Sequence, residues 1–189
     1  GKVYLEGGKS ADIEIRFRHP RSNARCRLDW AVPNDKMPDA QRLMERAVND
    51  GTKIFIIQSA DEWSEFIAVN SKAVFKDKFF VGTNWLGGVM FNKPHDIFKE
   101  LPVGNALNWP YQALIHTGVE RMGLVMEGEE LLVGAYHTYP MAIGTAMGIV
   151  PMGKGSVLFS TLDIYGNIIN DSAAGLVAKK LIFNMIDFK

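Results

Sequence analysis

Between residues 123 and 164 four apolar runs follow one another almost without pause: "GLVM" (123–126), "ELLVGAYH" (130–137), "AIGTAMGIV" (142–150) and "GSVLFSTLDI" (155–164). Gly128, Pro140, Pro151 and Gly153 punctuate them. A parallel crossover needs a dozen or more residues between strands, and no gap here approaches that length. The four runs therefore pair as antiparallel or mixed neighbours, and the rest of the chain must be arranged around the sheet they build.

The segments before them follow another grammar. Asp35 can cap a helix, Pro38 suits its first turn, and Ala40, Leu43, Met44, Ala47 and Val48 form one apolar stripe. "NDG" (49–51) stops it, with Gly51 free to turn left-handed. "TKIFIIQ" (52–58) is almost wholly apolar, the mark of a strand covered on both faces, and "KIFII" is expected at the centre of the sheet. Ser59 and Glu62 have capping-box spacing ahead of Trp63, Phe66 and Ile67, which predicts a second helix, and "FFVG" (79–82) predicts another strand. A closing helix begins at about Asp171; Ala173, Ala174, Val177, Ala178, Leu181, Ile182, Met185 and Ile186 form its apolar stripe, which is expected to dock on the sheet through Ala174, Val177, Leu181 and Met185. Helix, strand, helix, strand is α/β organisation, with helices on a sheet that is parallel in this half.

Ahead of all this lie two alternating runs, "IEIRFR" (13–18) and "RCRLDW" (25–30), joined by the turn formers "HPRSNA". They predict an N-terminal β-hairpin with Ile13, Ile15, Phe17, Cys26, Leu28 and Trp30 on its buried face. Five arginines between Arg16 and Arg27 could form a phosphate or nucleic-acid patch. The chain as a whole carries 21 basic and 21 acidic residues, so the solvated face of a hairpin is the better reading, and no nucleic-acid partner is expected.

At 189 residues and 47% apolar, the chain suits one domain, taken as residues 1–189, with a sizeable core. A single cysteine, Cys26, excludes an internal disulfide and any multi-thiolate site. No run approaches the roughly 18 apolar residues that span a bilayer, so no membrane partner is expected. Gly1 and the immediate start of "KVYLE" suggest a piece cut from something longer.

"FVGTNWLGGVMF" (80–91) has the outline of a nucleophile elbow, a strand entering a tight glycine-bearing turn. Acyl transfer there needs a thiol or hydroxyl, a histidine and an orienting acid. Only Thr83 offers a hydroxyl, Cys26 sits in the hairpin, and His137 at a strand end is the one histidine that could face a site. No catalytic residue is assigned. Glycoside cleavage needs two opposed carboxyl groups, and among Glu120, Glu127, Asp163 and Asp171 no spacing singles out a pair. Asp163 looks like the close of a strand and Asp171 like a helix cap. The four histidines, His19, His95, His116 and His137, stand apart, so no metal is expected. The glycine pairs and "GKG" (153–155) fit neither the Walker nor the dinucleotide fingerprint, and no cofactor is expected.

What remains is aromatic. "NWLGG" (84–88) and "NALNWPYQ" (105–112) set Trp85, Trp109 and Tyr111 beside amides, notably Asn105 and Asn108. With His137 these form the candidate ligand or partner surface. Aromatic faces beside amides suit a sugar or a protein interface, and they equally suit a plug at the end of a sheet.

The segments "NWLGGVMFNKPHDIFKELP", "NALNWPYQ", "AIGTAMGIVPMGKGSVLFSTLDI" and "AAGLVAKKLIFNMIDF" resemble a known accessory domain. It is similar to class I glutamine amidotransferases and follows the catalytic barrel in some family 2 glycoside hydrolases of the β-galactosidase-like kind. The likeness covers about residues 36 to 189. It implies a three-layer, flavodoxin-like sandwich that has lost its nucleophile, in agreement with the lack of Cys or Ser at 83–86. It also implies a non-catalytic role in packing domains or subunits, possible contact with carbohydrate, and a parent hydrolase that is periplasmic or extracellular. A hydrolase domain with its own weak site and a stand-alone sugar-binding module are the alternatives. After "KVYLEGG" the family leads one to expect a helix, where this chain has the arginine-bearing hairpin.

Overall fold

The computed structural model describes residues 38–81, 88–107, 109–116, 122–138 and 141–188, and the N-terminal hairpin predicted over 13–30 lies outside them. Helix α1 spans Pro38–Asp50. Met44 and Ala47 are its fully buried positions, while Leu43 at the edge of the stripe stays exposed. Gly51, at φ 78°, turns the chain out of the helix, and strand β1 (Lys53–Ile56) follows at once. Helix α2 (Ala60–Val69) comes next, then β2 (Val74–Phe80) and β3 (Gly88–Asn92). A 3₁₀ turn at Asp96–Phe98, another at Trp109–Tyr111 and a short α3 (Gln112–His116) lead into the second half.

There the four runs become β4 (Met122–Glu127), β5 (Glu130–His137), β6 (Ala142–Met152) and β7 (Gly155–Ser160). Helices α4 (Ile164–Ile168) and α5 (Ala173–Asp187) close the chain. The last run was expected to stay extended to residue 164. It stops at Ser160 because Asp163 caps α4, its carboxylate accepting from the Gly166 N–H at 2.9 Å. Ser172, not Asp171, caps α5 through the Gly175 N–H.

The seven strands form one mixed, open sheet with β6 as its spine. Along one edge β6 pairs antiparallel with β5, and β5 pairs with β3. Its C-terminal half also pairs with β7, and β7 lies parallel to β1. Nearer its start Thr145 bridges to Leu124 of β4, whose antiparallel partner is β2. Three cross-strand pairs set a phenylalanine opposite a glycine: Phe79 and Gly123, Phe91 and Gly134, Phe159 and Gly148. In each, the ring occupies the space a Cβ would take. Glycine inside a strand ordinarily weakens it, and here the ring restores the lost packing.

Two expectations change. Among the described residues "KIFII" is at an edge of the sheet, not its centre. Ile54 and Ile56 pack into one core with α1 and α2, while Phe55 and Ile57 pack into the other with α5. The apolar run thus records cover on both faces, which an edge strand under helices has as fully as a central one. The parallel sheet expected for the first half is also confined to β1 with β7 among the described residues, since β2 and β3 both pair antiparallel. At another edge the middle of β2 is charged: Lys76 pairs with Glu127, and Lys78 with Asp61 at 2.8 Å, while Val74 and Phe80 at its two ends are exposed. Charged edges of this kind discourage strand addition.

Residues of β7 alternate between the same two cores, Val157 and Phe159 on one side and Leu158 on the other. On α5, Leu181 and Met185 are buried to within 1% and Val177 packs against them, as the stripe predicts, whereas Ala173 and Ile186, expected on the same stripe, are exposed because they lie past its edges.

Candidate functional site

The described part of the aromatic loop is organised by one buried amide. Asn92 ends β3 at 3% exposure, and the loop after it returns along the free edge of that strand. The Asn92 N–H donates to Asn105 O, the Gly104 N–H to Asn92 O, and the Leu107 N–H to Met90 O. The Asn92 side chain donates to Pro102 O at 2.9 Å and to the Tyr111 hydroxyl at 3.3 Å. Tyr111 in turn donates to Pro102 O at 2.7 Å. Its ring lies edge-on to Phe98, with centroids 6.4 Å apart.

Tyr111 is only 2% exposed, and burial pushes its phenol up to about 12, against the Asn92 hydrogen bond that favours the ionised form. It is therefore a plug under the loop and offers no face to a sugar or partner. The motif "NWPY" places it in a 3₁₀ turn that aims the ring inward, which spacing alone does not reveal. Asn105 is exposed and its side chain donates to Val103 O at 3.2 Å. Trp109 opens the 3₁₀ turn, and its side chain lies outside the described part. Trp85 and Asn108 also lie outside the described residues.

His137 is not part of this hub. It ends β5, half-buried, opposite Gly88 and Ala142. Gly88 and Asn92 are the two ends of β3, so at a rise of about 3.4 Å per residue His137 stands roughly 14 Å along the strand from Asn92. Among the described members of the proposed surface, Asn105 and Tyr111 thus lie by one end of β3 and His137 by the other.

The elbow outline resolves differently from its chemistry. A nucleophile elbow runs strand, turn, helix. Here the segment that follows residues 82–87, which lie outside the described residues, is β3, an antiparallel partner of β5. Thr83 and Cys26 lie outside the described residues, as do His19 and Glu120.

Among the remaining candidates each has a structural task. Glu127 is exposed and paired with Lys76. The Asp171 carboxylate is fully exposed, 3.3 Å from Lys179. Asp163 caps α4 and also takes a hydrogen bond from the Asn167 side chain. His95 caps the 3₁₀ turn at Asp96–Phe98, its Nδ1 accepting from the Ile97 N–H, and its ring packs on Phe188. No group of three or more potential metal ligands occurs among the described residues.

Three features were not read from the sequence. Ser59 sits at φ 53° and ψ 35°, the left-handed region, and makes no side-chain cap. Only its carbonyl engages α2, accepting from the Glu62 N–H at 3.0 Å, so the expected capping box does not form. Asn184, on α5, gives both amide protons to Ile97 O and Lys99 O, each at 2.9 Å, and ties the helix to the 3₁₀ turn. Finally, α5 carries a second apolar row. Leu176, Phe183 and Ile186 are 65–67% exposed, on the side away from Leu181. The sequence "AAGLVAKKLIFNMID" holds that signal, being apolar nearly all round.

Lys179 and Lys180, which flank the row, are neutralised within the chain by Asp171 and Glu100. Lys180 holds the Glu100 carboxyl below its usual range, chiefly by its hydrogen bond. No protein-family model, no curated protein and no solved structure matches this chain.

Proposed function

We propose that the chain is a non-catalytic accessory domain of a carbohydrate-active glycoside hydrolase, packing against other domains of the same polypeptide. The observation that carries this reading is the second apolar row of α5. A helix apolar on both sides is ordinarily buried on both, and exposed apolar rows of this size mark interaction surfaces. Leu176, Phe183 and Ile186 have no cover among the described residues, while the polar groups beneath the loops are committed to backbone carbonyls. Such a constellation builds a scaffold.

The flavodoxin-like, amidotransferase-like ancestry belongs to the same proposal. The parallel β1–β7 pair supports it, with α1 and α2 on one face and α5 on the other. The antiparallel strands are then additions to that core. Contact with glycan, residence in the periplasm or outside the cell, and assembly into oligomers follow from the resemblance and are proposed with it.

The test has two arms. The gene product should carry a catalytic barrel upstream of residue 36, and a start codon near Lys2 would sink the accessory reading. The isolated chain should turn over neither glutamine nor aryl glycosides above buffer. Robust turnover abolished by changing Cys26, Thr83 or His137 would restore an enzyme.

A further inference from the structure

The connection between α4 and α5 reads Ile169-Asn170-Asp171-Ser172, and Asn170-Asp171-Ser172 is the one Asn-x-Ser/Thr tripeptide in the 189 residues. Enzymes that attach oligosaccharides to asparagine amides read this tripeptide, and they need it at the surface of an exported chain. The structure puts it there. Asn170 is exposed, the Asp171 carboxylate is fully exposed, and Ile169 is 85% exposed. The Asn170 amide has one long hydrogen bond, 3.4 Å to Gly166 O, and a glycosylated amide keeps an N–H with which to make it.

A second observation gives the modification a physical consequence. Tyr165 and Ile169 of the α4 segment are 60% and 85% exposed, and Leu176 follows in the second turn of α5. Asn170 thus sits amid large apolar side chains that face water. We propose that Asn170 is an acceptor for an N-linked glycan, which shields the apolar corner formed by Tyr165 and Ile169. The proposal rests on the export reading given above and adds a site to it. It is compatible with docking through the far end of α5. Phe183 lies ten residues beyond Ala173, the first residue of α5, or about 15 Å along the helix at the rise of about 1.5 Å per residue.

The chemistry balances without a redox step. The co-reactant is an oligosaccharide carried on a polyprenyl diphosphate. The Asn170 Nδ2 forms a bond to the anomeric carbon, whose bond to the diphosphate oxygen breaks. The diphosphate leaves with that electron pair, and the amide gives up one proton.

The experiment secretes the full chain from eukaryotic cells behind a heterologous leader, so that acceptor competence is read independently of the natural address. Intact-mass spectrometry should show a glycoform series that peptide N-glycosidase removes. Peptide mapping should place the resulting aspartate at position 170. Asn170→Gln should abolish the series without shifting the melting temperature, because the site is exposed. Ser172→Thr, which keeps both the tripeptide and the α5 cap, should retain it. Secretion of an unmodified chain beside a modified control protein would overturn the site. For the shielding, emission from a dye that binds apolar surface should rise at least twofold when the glycan is removed, and equal emission would overturn that part. Failure of the export reading alone would appear differently, as an acceptor-competent chain retained inside its native cell.

Discussion

Tyr111→Phe separates a buried phenol from an accessible one, and the pH dependence of its effect can be worked out from the structure. The substitution keeps the ring against Phe98 and removes only the hydroxyl. At pH 8 it loses the bond to Pro102 O, which keeps its contact with Asn92, so the expected cost is about 1 kcal/mol. The alkaline limb is more telling. The phenol is raised from 10 to about 12 in the folded protein, so above pH 10 the unfolded chain releases a proton that the native state retains. The contribution of Tyr111 is complete below pH 10 and is lost as the pH rises toward 12. By linkage the loss grows from a few tenths of a kcal/mol at pH 10 to about 1 kcal/mol at pH 11 and about 2 kcal/mol at pH 12. The phenylalanine variant escapes this loss, so the two proteins should be equally stable near pH 11, with the variant the more stable beyond it. Urea denaturation of both proteins at each pH measures the difference, in which other tyrosines and lysines cancel. A difference that stays constant from pH 8 to 11 would mean that Tyr111 ionises freely and that the plug is misplaced.

Leu181→Ala should cost about 2–5 kcal/mol in denaturant melts, because Leu181 is fully buried at the seam of α5 and the sheet. Asn184→Ala should cost about 1–3 kcal/mol by leaving Ile97 O without its donor, and faster amide exchange at Asp96–Phe98 should accompany the loss. Gly153→Ala should lower stability by more than about 1 kcal/mol, since φ is 58° and a Cβ would press on the backbone of Val48. A thermal melt unchanged by this last substitution would show that the β6–β7 turn can relax.

The one-dimensional pattern determined the element list over most of the described chain: α1, β1, α2 and the four later strands, with the apolar stripe of α5. Periodicity and punctuation are local properties, and those elements follow from them. Which strand lies beside which is not local. "KIFII" reads as central because two covered faces leave the same apolar run whether one edge or both are paired, and only the β1–β7 pairing decides it. β3 was hidden inside an apparent elbow, since five residues of "GVMFN" carry too little pattern to announce a strand without their partner β5.

The candidate surface divides in the same way. Aromatic and amide residues were legible as a group, but the direction of a ring depends on backbone dihedrals and on the cavity awaiting it. Tyr111 turned inward because Asn92 and Pro102 meet its hydroxyl from distant parts of the loop, and His137 fell at the other end of β3 because register, not sequence distance, places it. Spacing marked the row of α5 that meets the sheet, yet only packing showed that the opposite apolar row goes uncovered among the described residues. Leu181 and Met185 fill the space that β6 and β7 leave, and the opposite row, with Phe183, is left facing water.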